Sequence, residues 1–262
     1  MITSTTNARI KEARKLHKRR YRQQTGRLLL EGITLIEDAR QAGAELLQLF
    51  YLSGIEERND SARRLLAAAE ATGLQATPCT APVMAALCTT VSPQGVVAVC
   101  PIPELDLKTP STLILVLDAV RDPGNAGTLL RSAQASGVDL VLFAPETVDP
   151  FNDKVLRSAM GAHFRLPLRV CADWDQVEAQ LGALPQVFVA DAAAGQAYDM
   201  VNWCQPSVLV VGGEASGAGP RARSLANGLS IPMLGNVESL NAAMAGSVIL
   251  FEAARQRRAS AP

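Results

Sequence analysis

Three stretches of the chain combine polar residues with glycines in a way that packing alone does not demand. The first, NAGTLLRSAQASG (residues 125–137), opens on Asn125, carries Arg131 among small and apolar neighbours, and ends in a glycine. A guanidinium held beside a strand end suits phosphate or carboxylate; the plainer alternative is a surface ion pair. In the second, VVGGEASGAG (210–219), Gly212 and Gly217 have the spacing of a phosphate loop. Ala218 and Gly219 replace the Lys and Ser or Thr that such a loop needs, which disfavours a nucleoside-triphosphate site. Ser216 lacks the G-x-S-x-G frame of a nucleophile elbow. What remains is Glu214, a carboxylate in a tight turn where backbone can approach a ligand closely, or else a cap for the next helix. The third stretch, IPMLGNVESLNAAMAGSVILFEAARQR (231–257), sets Glu238, Ser239 and Asn241 before a helix. Helix N-termini attract anions and orient polar ligands.

The elements that must position these residues follow from apolar patterning. Near-continuous runs (LILVLDAV, VDLVLFA, FRLPLRV, QVFVAD, SVLVVGG and LSIPML) separated by helical segments predict a mostly parallel sheet covered on both faces. Ligands of such sheets lie at the strands' carboxyl ends, which points to the loops after residues 120, 212 and 233. Asn125 occupies an N-cap position after Pro123-Gly124, and Gly137 a left-handed C-cap. Ser239 or Glu238 is expected to cap the last helix, 239–257, whose Ala242, Ala243, Ala245 and Gly246 permit close packing. The RQRRASAP end reads as a frayed tail. The stretch NDKVLRSAMGAHFRLP (152–167) holds a helix and a strand, a structural His163, and Arg157, Ser158 and Arg165, which could line an RNA path or simply face solvent. The first hundred residues read as a small α/β unit: a basic helix near 7–23, strand RLLLEG, helix 33–42, strand LLQLFYL, helices 60–72 and 81–88, and strand GVVAVC. The proline-rich PIPELDLKTP reads as a linker, giving domains 1–100 and 111–262 joined by 101–110.

The 262 residues carry no net charge, yet the charge is segregated. Residues 1–27 hold Arg9, Lys11, Arg14, Lys15, Lys18, Arg19, Arg20, Arg22 and Arg27 against Glu12 alone. A basic arm without a large apolar face predicts a polyanionic partner, RNA or DNA before membrane. Five cysteines without a C-x-x-C pair and only two histidines predict free thiols and no metal site. No apolar run is long enough for a membrane span and the N-terminus has no signal-peptide core, so a soluble cytoplasmic protein is expected.

The three ordered stretches resemble the motifs of the SpoU (TrmH-like) class of the SPOUT superfamily of RNA ribose 2′-O-methyltransferases. DAVRDPGNAGTLLRSAQASGV resembles the first motif, VVGGEASG the second, and IPMLGNVESLNAAMAGSVILFEAARQR the third. The first half, through LLLEGITLIEDA and PQGVVAV, resembles a small ribosomal-protein-like domain for substrate capture. The resemblance implies a C-terminal trefoil knot, against the usual rule for chain topology, an S-adenosylmethionine pocket, and a symmetric homodimer. It implies catalytic roles for Asn125, Arg131, Glu214, Ser239 and Asn241, and cofactor contacts from Gly212, Gly213, Ile231, Met233, Leu234, Ser239 and Leu240. Arg131 then binds the phosphate beside the target ribose and stabilises charge on the 2′-oxygen, since a guanidinium is too weak a base to remove its proton. RNA contacts are expected from Arg9, Lys11, Arg14, Lys15, Lys18, Arg19, Arg20, Arg22, Arg157 and Arg165. Ribosomal RNA, and within it the large-subunit RNA, is the favoured substrate because of the extra first domain. A transfer-RNA 2′-O-methyltransferase and a catalytically silent RNA-binding or assembly factor are the alternatives.

Overall fold

The computed structural model describes residues 1–107, 110–182, 186–214 and 216–260; residues 108–109 of the expected linker and Ala215 of the second motif lie outside this set. In chain order the first elements are α1 (Ala8–Lys15), α2 (Arg19–Thr25), β1 (Arg27–Glu31), α3 (Ile33–Gln41), β2 (Gln48–Leu52), α4 (Asp60–Ala71), β3 (Thr77–Cys79), α5 (Ala81–Leu87) and β4 (Val96–Pro101). There follow β5 (Leu113–Asp118), α6 (Pro123–Ser136), β6 (Leu140–Phe143), α7 (Asp153–Ser158), β7 (Leu168–Val170), α8 (Trp174–Leu181) and β8 (Gln186–Ala190). The last are β9 (Gln196–Ala197), β10 (Ser207–Gly212), α9 (Pro220–Leu225), β11 (Asn227–Ser230) and α10 (Ala242–Ala259). They form two compact units, one of Met1–Glu104 with Phe151–Phe164, the other of Leu105–Pro150 with Arg165–Pro262.

In the first unit the sheet order is β1-β4-β2-β3, with β4 antiparallel to both β1 and β2 and β3 parallel to β2. Side chains alternate across a strand, so two cores form. Leu28, Leu30, Leu49, Val96 and Ala98 pack with α3 and α4, whereas Leu29, Phe50, Val97 and Val99 pack with α1 and α5. Leu156 and Phe164 enter the first of these cores, which is why residues 151–164 belong here and not to the later domain that a boundary at 110 assigns them to. The single basic helix expected near 7–23 is two helices. Arg22, 4% exposed, donates from Nη1 to the carbonyls of Leu16 (2.8 Å) and His17 (2.9 Å) and so closes the corner between them.

The second unit has the seven-stranded order β7-β6-β5-β10-β8-β11-β9, with every pair parallel. Ile114, Val116, Leu142, Val208 and Val210 face α8 and α9 through Val177, Leu181 and Ala222. The opposite face receives α6 and α10. A Cβ on Gly246 would lie 2.5 Å from the Leu129 side chain and 3.0 Å from Val211, so the glycine sets how near α10 comes to α6 and β10. The chain leaves β5 toward β6 and leaves β10 toward β11, in opposite directions along the sheet. Their junction is therefore a topological switch point. The C-terminus is less frayed than its composition suggests: α10 continues to Ala259, and Arg257 donates to the carbonyls of Trp203 (2.7 Å) and Thr112 (2.7 Å). Among the described residues no helix is long and apolar enough to cross a membrane.

Candidate active site

The loop after β10 is glycine-rich because its backbone is crowded. A Cβ on Gly212 would sit 2.0 Å from the Ala218 nitrogen, and one on Gly213 would sit 2.3 Å from the Ala119 carbonyl oxygen. Ala119, at the end of β5, itself adopts a left-handed φ of 55°. Asp118 beside it is buried and accepts a 2.6 Å bond from the Gly219 amide, tying the far end of the loop to β5. Desolvation pushes the Asp118 carboxyl above its ordinary pKa, against the Gly219 bond that favours the ionised form. These contacts fix where Glu214 stands.

The helices on the other side are capped differently from expectation. Asp122, not Asn125, is the N-cap of α6 and accepts from the Asn125 amide at 2.8 Å. Asn241, not Ser239 or Glu238, caps α10, its Oδ1 accepting from Ala243 (2.9 Å) and Met244 (3.2 Å). Relieved of capping, the Asn125 side chain bridges the three motifs. Its Nδ2 donates to Glu214 Oε1 (2.7 Å) and its Oδ1 accepts from Asn241 Nδ2 (3.0 Å). Gly137 does cap α6 in the left-handed conformation.

Glu214 and Asn241 also line a cavity of about 440 Å³ at the carboxyl ends of β8, β10 and β11. Leu229, Ile231, Leu240 and Ile249 give it apolar walls, and Met233, Ser239, Gly212 and Gly213 complete the part expected from the sequence. Leu234 is fully exposed and takes no part in the lining, whereas its neighbour Met233 does. Two charged lining residues were not anticipated, Asp191 and Arg223. Arg223 Nη1 pairs with Asp191 Oδ2, and its Nε donates to the Ala218 carbonyl at 3.0 Å. The Ala193 amide, then Arg223, holds the Asp191 carboxyl below its usual pKa. The signal was present: Asp191 directly follows QVFVA, a carboxyl strand end like the others. Apolar walls for a planar base, polar groups for a sugar and two carboxylates for a cation fit S-adenosylmethionine, which combines an adenosine with a sulfonium.

Arg131 is exposed on α6, outside the cavity lining and the amide bridge, and its side chain makes no hydrogen bond or ion pair among the described residues. Of the expected RNA-binding residues, Lys11, Arg14, Lys18, Arg19 and Arg20 are exposed. Arg9 stands 5.2 Å over the Phe50 ring, and Lys15 pairs with Glu12 at 2.7 Å. Arg22 is withdrawn into the corner already described and offers no surface charge. Arg157 is half-buried, 3.6 Å from Glu31, while Arg165 is exposed. Ser158 donates to the Lys154 carbonyl (2.8 Å), and His163 is buried with its ring 5.6 Å from Phe151. The five cysteines are free, three of them buried, with Cys88 intermediate and Cys204 exposed.

Residues 112–251 match the SpoU rRNA Methylase family, and residues 7–98 match an MRM3-like substrate binding domain. The chain is 33% identical over 256 residues to the 23S rRNA (guanosine(2553)-2'-O)-methyltransferase RlmP of Bacillus subtilis, covering 95% of this chain and 97% of that protein. It is 33% identical over 270 residues to the 23S rRNA (uridine(2479)-2'-O)-methyltransferase of Streptomyces viridochromogenes, covering 98% and 92%. An AdoMet-bound rRNA methyltransferase from Sinorhizobium meliloti has the same fold, with a TM-score of 0.82 and 29% identity over 100% of this chain and 98% of that one. Fold and site thus define an RNA methyltransferase that uses S-adenosylmethionine. Within that class, the chain belongs to the SpoU rRNA methylase family.

Proposed function

We propose that the protein transfers a methyl group to a ribose 2′-hydroxyl of ribosomal RNA, in the large subunit, within the cytoplasm. The observation that carries this reading is the Glu214–Asn125–Asn241 bridge, which joins all three motifs at the cavity lined by residues 212–214 and 239–242. S-adenosylmethionine supplies an already activated methyl group on its sulfonium. The protein's task is therefore alignment, for which about 7 to 11 kcal/mol is available, and stabilisation of charge on the attacking oxygen; no metal enters. Gly212, Gly213, Ile231, Met233, Ser239 and Leu240 hold the cofactor. Asn125 and Glu214 orient the ribose. Arg131, unengaged within the chain, binds the neighbouring phosphate and stabilises the developing oxyanion.

Two further features belong to this reading. The segment 231–241 forms the trefoil knot with the loop after β10, supported by their common lining of the cavity and the crowding at Gly212. A homodimer covers the outer face of α10, where Met244 (59% exposed), Val248 (38%) and Phe251 (51%) form an apolar stripe at helical spacing. Residues 1–100 with the returning 151–164, and the exposed basic groups of α1 and α2, hold the RNA backbone, 101–110 serves as linker, and the rest of the chain does the chemistry. The test is transfer of labelled methyl to ribosomal and transfer RNA from a strain lacking the enzyme, with mass spectrometry of the digested nucleosides. A ribose-methylated nucleoside from ribosomal RNA is expected. Label in transfer RNA alone would reassign the substrate, and label in neither despite cofactor binding would leave an RNA-binding factor.

A further inference from the structure

A second cavity, of about 280 Å³, lies within the first unit, and its polar groups are unusually well ordered. At its base Glu31, 9% exposed, accepts from the Thr89 amide (2.8 Å) and hydroxyl (3.2 Å), and from the Thr90 amide (3.3 Å) and hydroxyl. Arg157 Nη1 donates to Thr89 Oγ1 at 2.9 Å and lies 3.6 Å from the same carboxylate. Glu31 is thus saturated with donors and offsets the charge of Arg157. Gln94 Oε1 accepts from the Ile33 amide at 2.8 Å, capping α3 from outside the helix. Gly32 makes room for it: its φ is 105°, and a Cβ there would meet Gln94 Oε1 at 3.0 Å.

The groups left over are mostly donors. Gln94 Nε2, the hydroxyls of Thr34 and Ser92, and the remaining N–H groups of Arg157 border the cavity and have no partner among the described residues. Leu35 and Met160 supply apolar walls, and Val91, wholly exposed, projects from the loop between Thr90 and Ser92. A free anion is poorly served beside Glu31. A planar ring with carbonyl oxygens on its edge uses the apolar walls and the surplus donors together, and the volume is smaller than a drug-sized site.

We infer that this cavity receives one unpaired nucleotide of the RNA substrate. Its base lies between Leu35 and Met160, its carbonyl edge accepts from Gln94 and Arg157, and its sugar meets Thr34 and Ser92 at the rim. Unpaired bases are the usual objects of RNA sequence recognition because their edges are accessible. The donor excess selects uracil over adenine, which presents an amino group where uracil presents a carbonyl. This inference rests on the RNA-methyltransferase reading above and gives the first unit a base-reading role beside its charged surface.

The test uses the full chain and two plugging variants at exposed rim positions, Thr34→Trp and Ser92→Trp. Binding of deproteinised 23S ribosomal RNA is measured with oligo(U) and oligo(A) as competitors, alongside methyl transfer and the thermal shift produced by S-adenosylhomocysteine. The expected result is a wild type that oligo(U) displaces better than oligo(A). In the variants, affinity for the ribosomal RNA falls about tenfold, the order expected when a single base is no longer held, and the preference disappears. The salt slope and the thermal shift stay unchanged, since the phosphate-binding groups and the fold are untouched. A wild type without the preference, or folded variants that bind as tightly as it does, overturns the inference while methyl transfer still stands. Binding with the expected preference but without methyl transfer supports the cavity and defeats the activity reading, and a wild type that does not bind RNA at all defeats both.

Discussion

The two sheets of this protein differ in strand direction and in where their charged groups collect. In the second unit every strand is parallel, so all carboxyl ends share one edge and the segments after β5, β8, β10 and β11 supply one site. In the first unit β1, β2 and β3 share one direction and β4 runs against them, so its carboxyl end lies on the opposite edge. A cluster of the unit's basic groups lies instead on the surface of α1, α2 and the turn between them, spread rather than convergent. A convergent site suits chemistry on one atom, whereas a spread surface suits a polymer's backbone. Changes in the second unit should therefore alter turnover, and changes in the first should alter RNA affinity or the unit's own stability.

The sharpest attempt to break this contrast is Arg131→Ala. Turnover should fall about 10²- to 10³-fold, the usual cost of losing one group that stabilises a developing oxyanion. The melting temperature should stay put because the side chain has no partner in the chain. Undiminished methyl transfer would remove Arg131 from the chemistry. Next comes Asn125→Ala, which severs both halves of the amide bridge but leaves the Asn241 cap in place. A misplaced reacting group costs up to about 10²-fold, so kcat should fall about ten- to a hundredfold with little change in KM for RNA. A change confined to KM would make Asn125 an RNA contact rather than an orienting group.

Within the first unit, two kinds of arginine separate structure from surface. Arg22→Ala removes the donor to two buried carbonyls and should cost about 1 to 3 kcal/mol in urea denaturation. Replacing Lys18, Arg19 and Arg20 together by alanine should leave stability near wild type and weaken RNA binding about tenfold. The slope of log affinity against log salt should then shrink by about 0.7 to 0.9 for each phosphate that is no longer neutralised. An unchanged slope would make the arm a solvated helix and nothing more.

Much of this was legible in the sequence, for reasons that vary from element to element. The buried parallel strands were readable because β5 and β10 are continuous runs of Val, Ile and Leu. β3 and β9 were missed because three and two residues cannot display a period. The cavity-lining residues Glu214, Ser239 and Asn241 stood out in the sequence through their glycine-rich or helix-start settings. Their linkage was not, since the bridge depends on Asp122 taking the cap that Asn125 seemed placed to fill. Arg22 looked like its basic neighbours because charge alone does not reveal which side chain turns inward. Residues 151–164 were assigned to the wrong neighbours because chain order is silent about a segment that returns to an earlier core.

That returning segment provides the smallest effect and a pH-dependent one. His17, between α1 and α2, places Nδ1 2.8 Å from Asp153 Oδ2 on α7 and Nε2 3.0 Å from the Leu87 carbonyl at the end of α5. Both partners only accept, so both ring nitrogens must carry protons for both bonds to exist, and the ring is then an imidazolium. The Asp153 bond raises the His17 pKa above 6.5, burial opposes it, and the Leu87 carbonyl and the Glu31 charge add to the rise. Because the folded state holds the proton more tightly than the unfolded chain, this contribution is complete below pH 6.5. It declines as pH rises through the elevated folded value and is absent above it. The loss is about 1 kcal/mol, the worth of one hydrogen bond. Urea denaturation of wild type and His17→Gln from about pH 5.5 to about pH 8.5 isolates it, since every other titrating group is common to both. The stability gap should narrow toward alkaline pH, with methyl-transfer chemistry following no such trend. A constant gap would show that folding leaves the proton affinity of His17 unchanged and that its bond to Asp153 adds no charge-dependent stability.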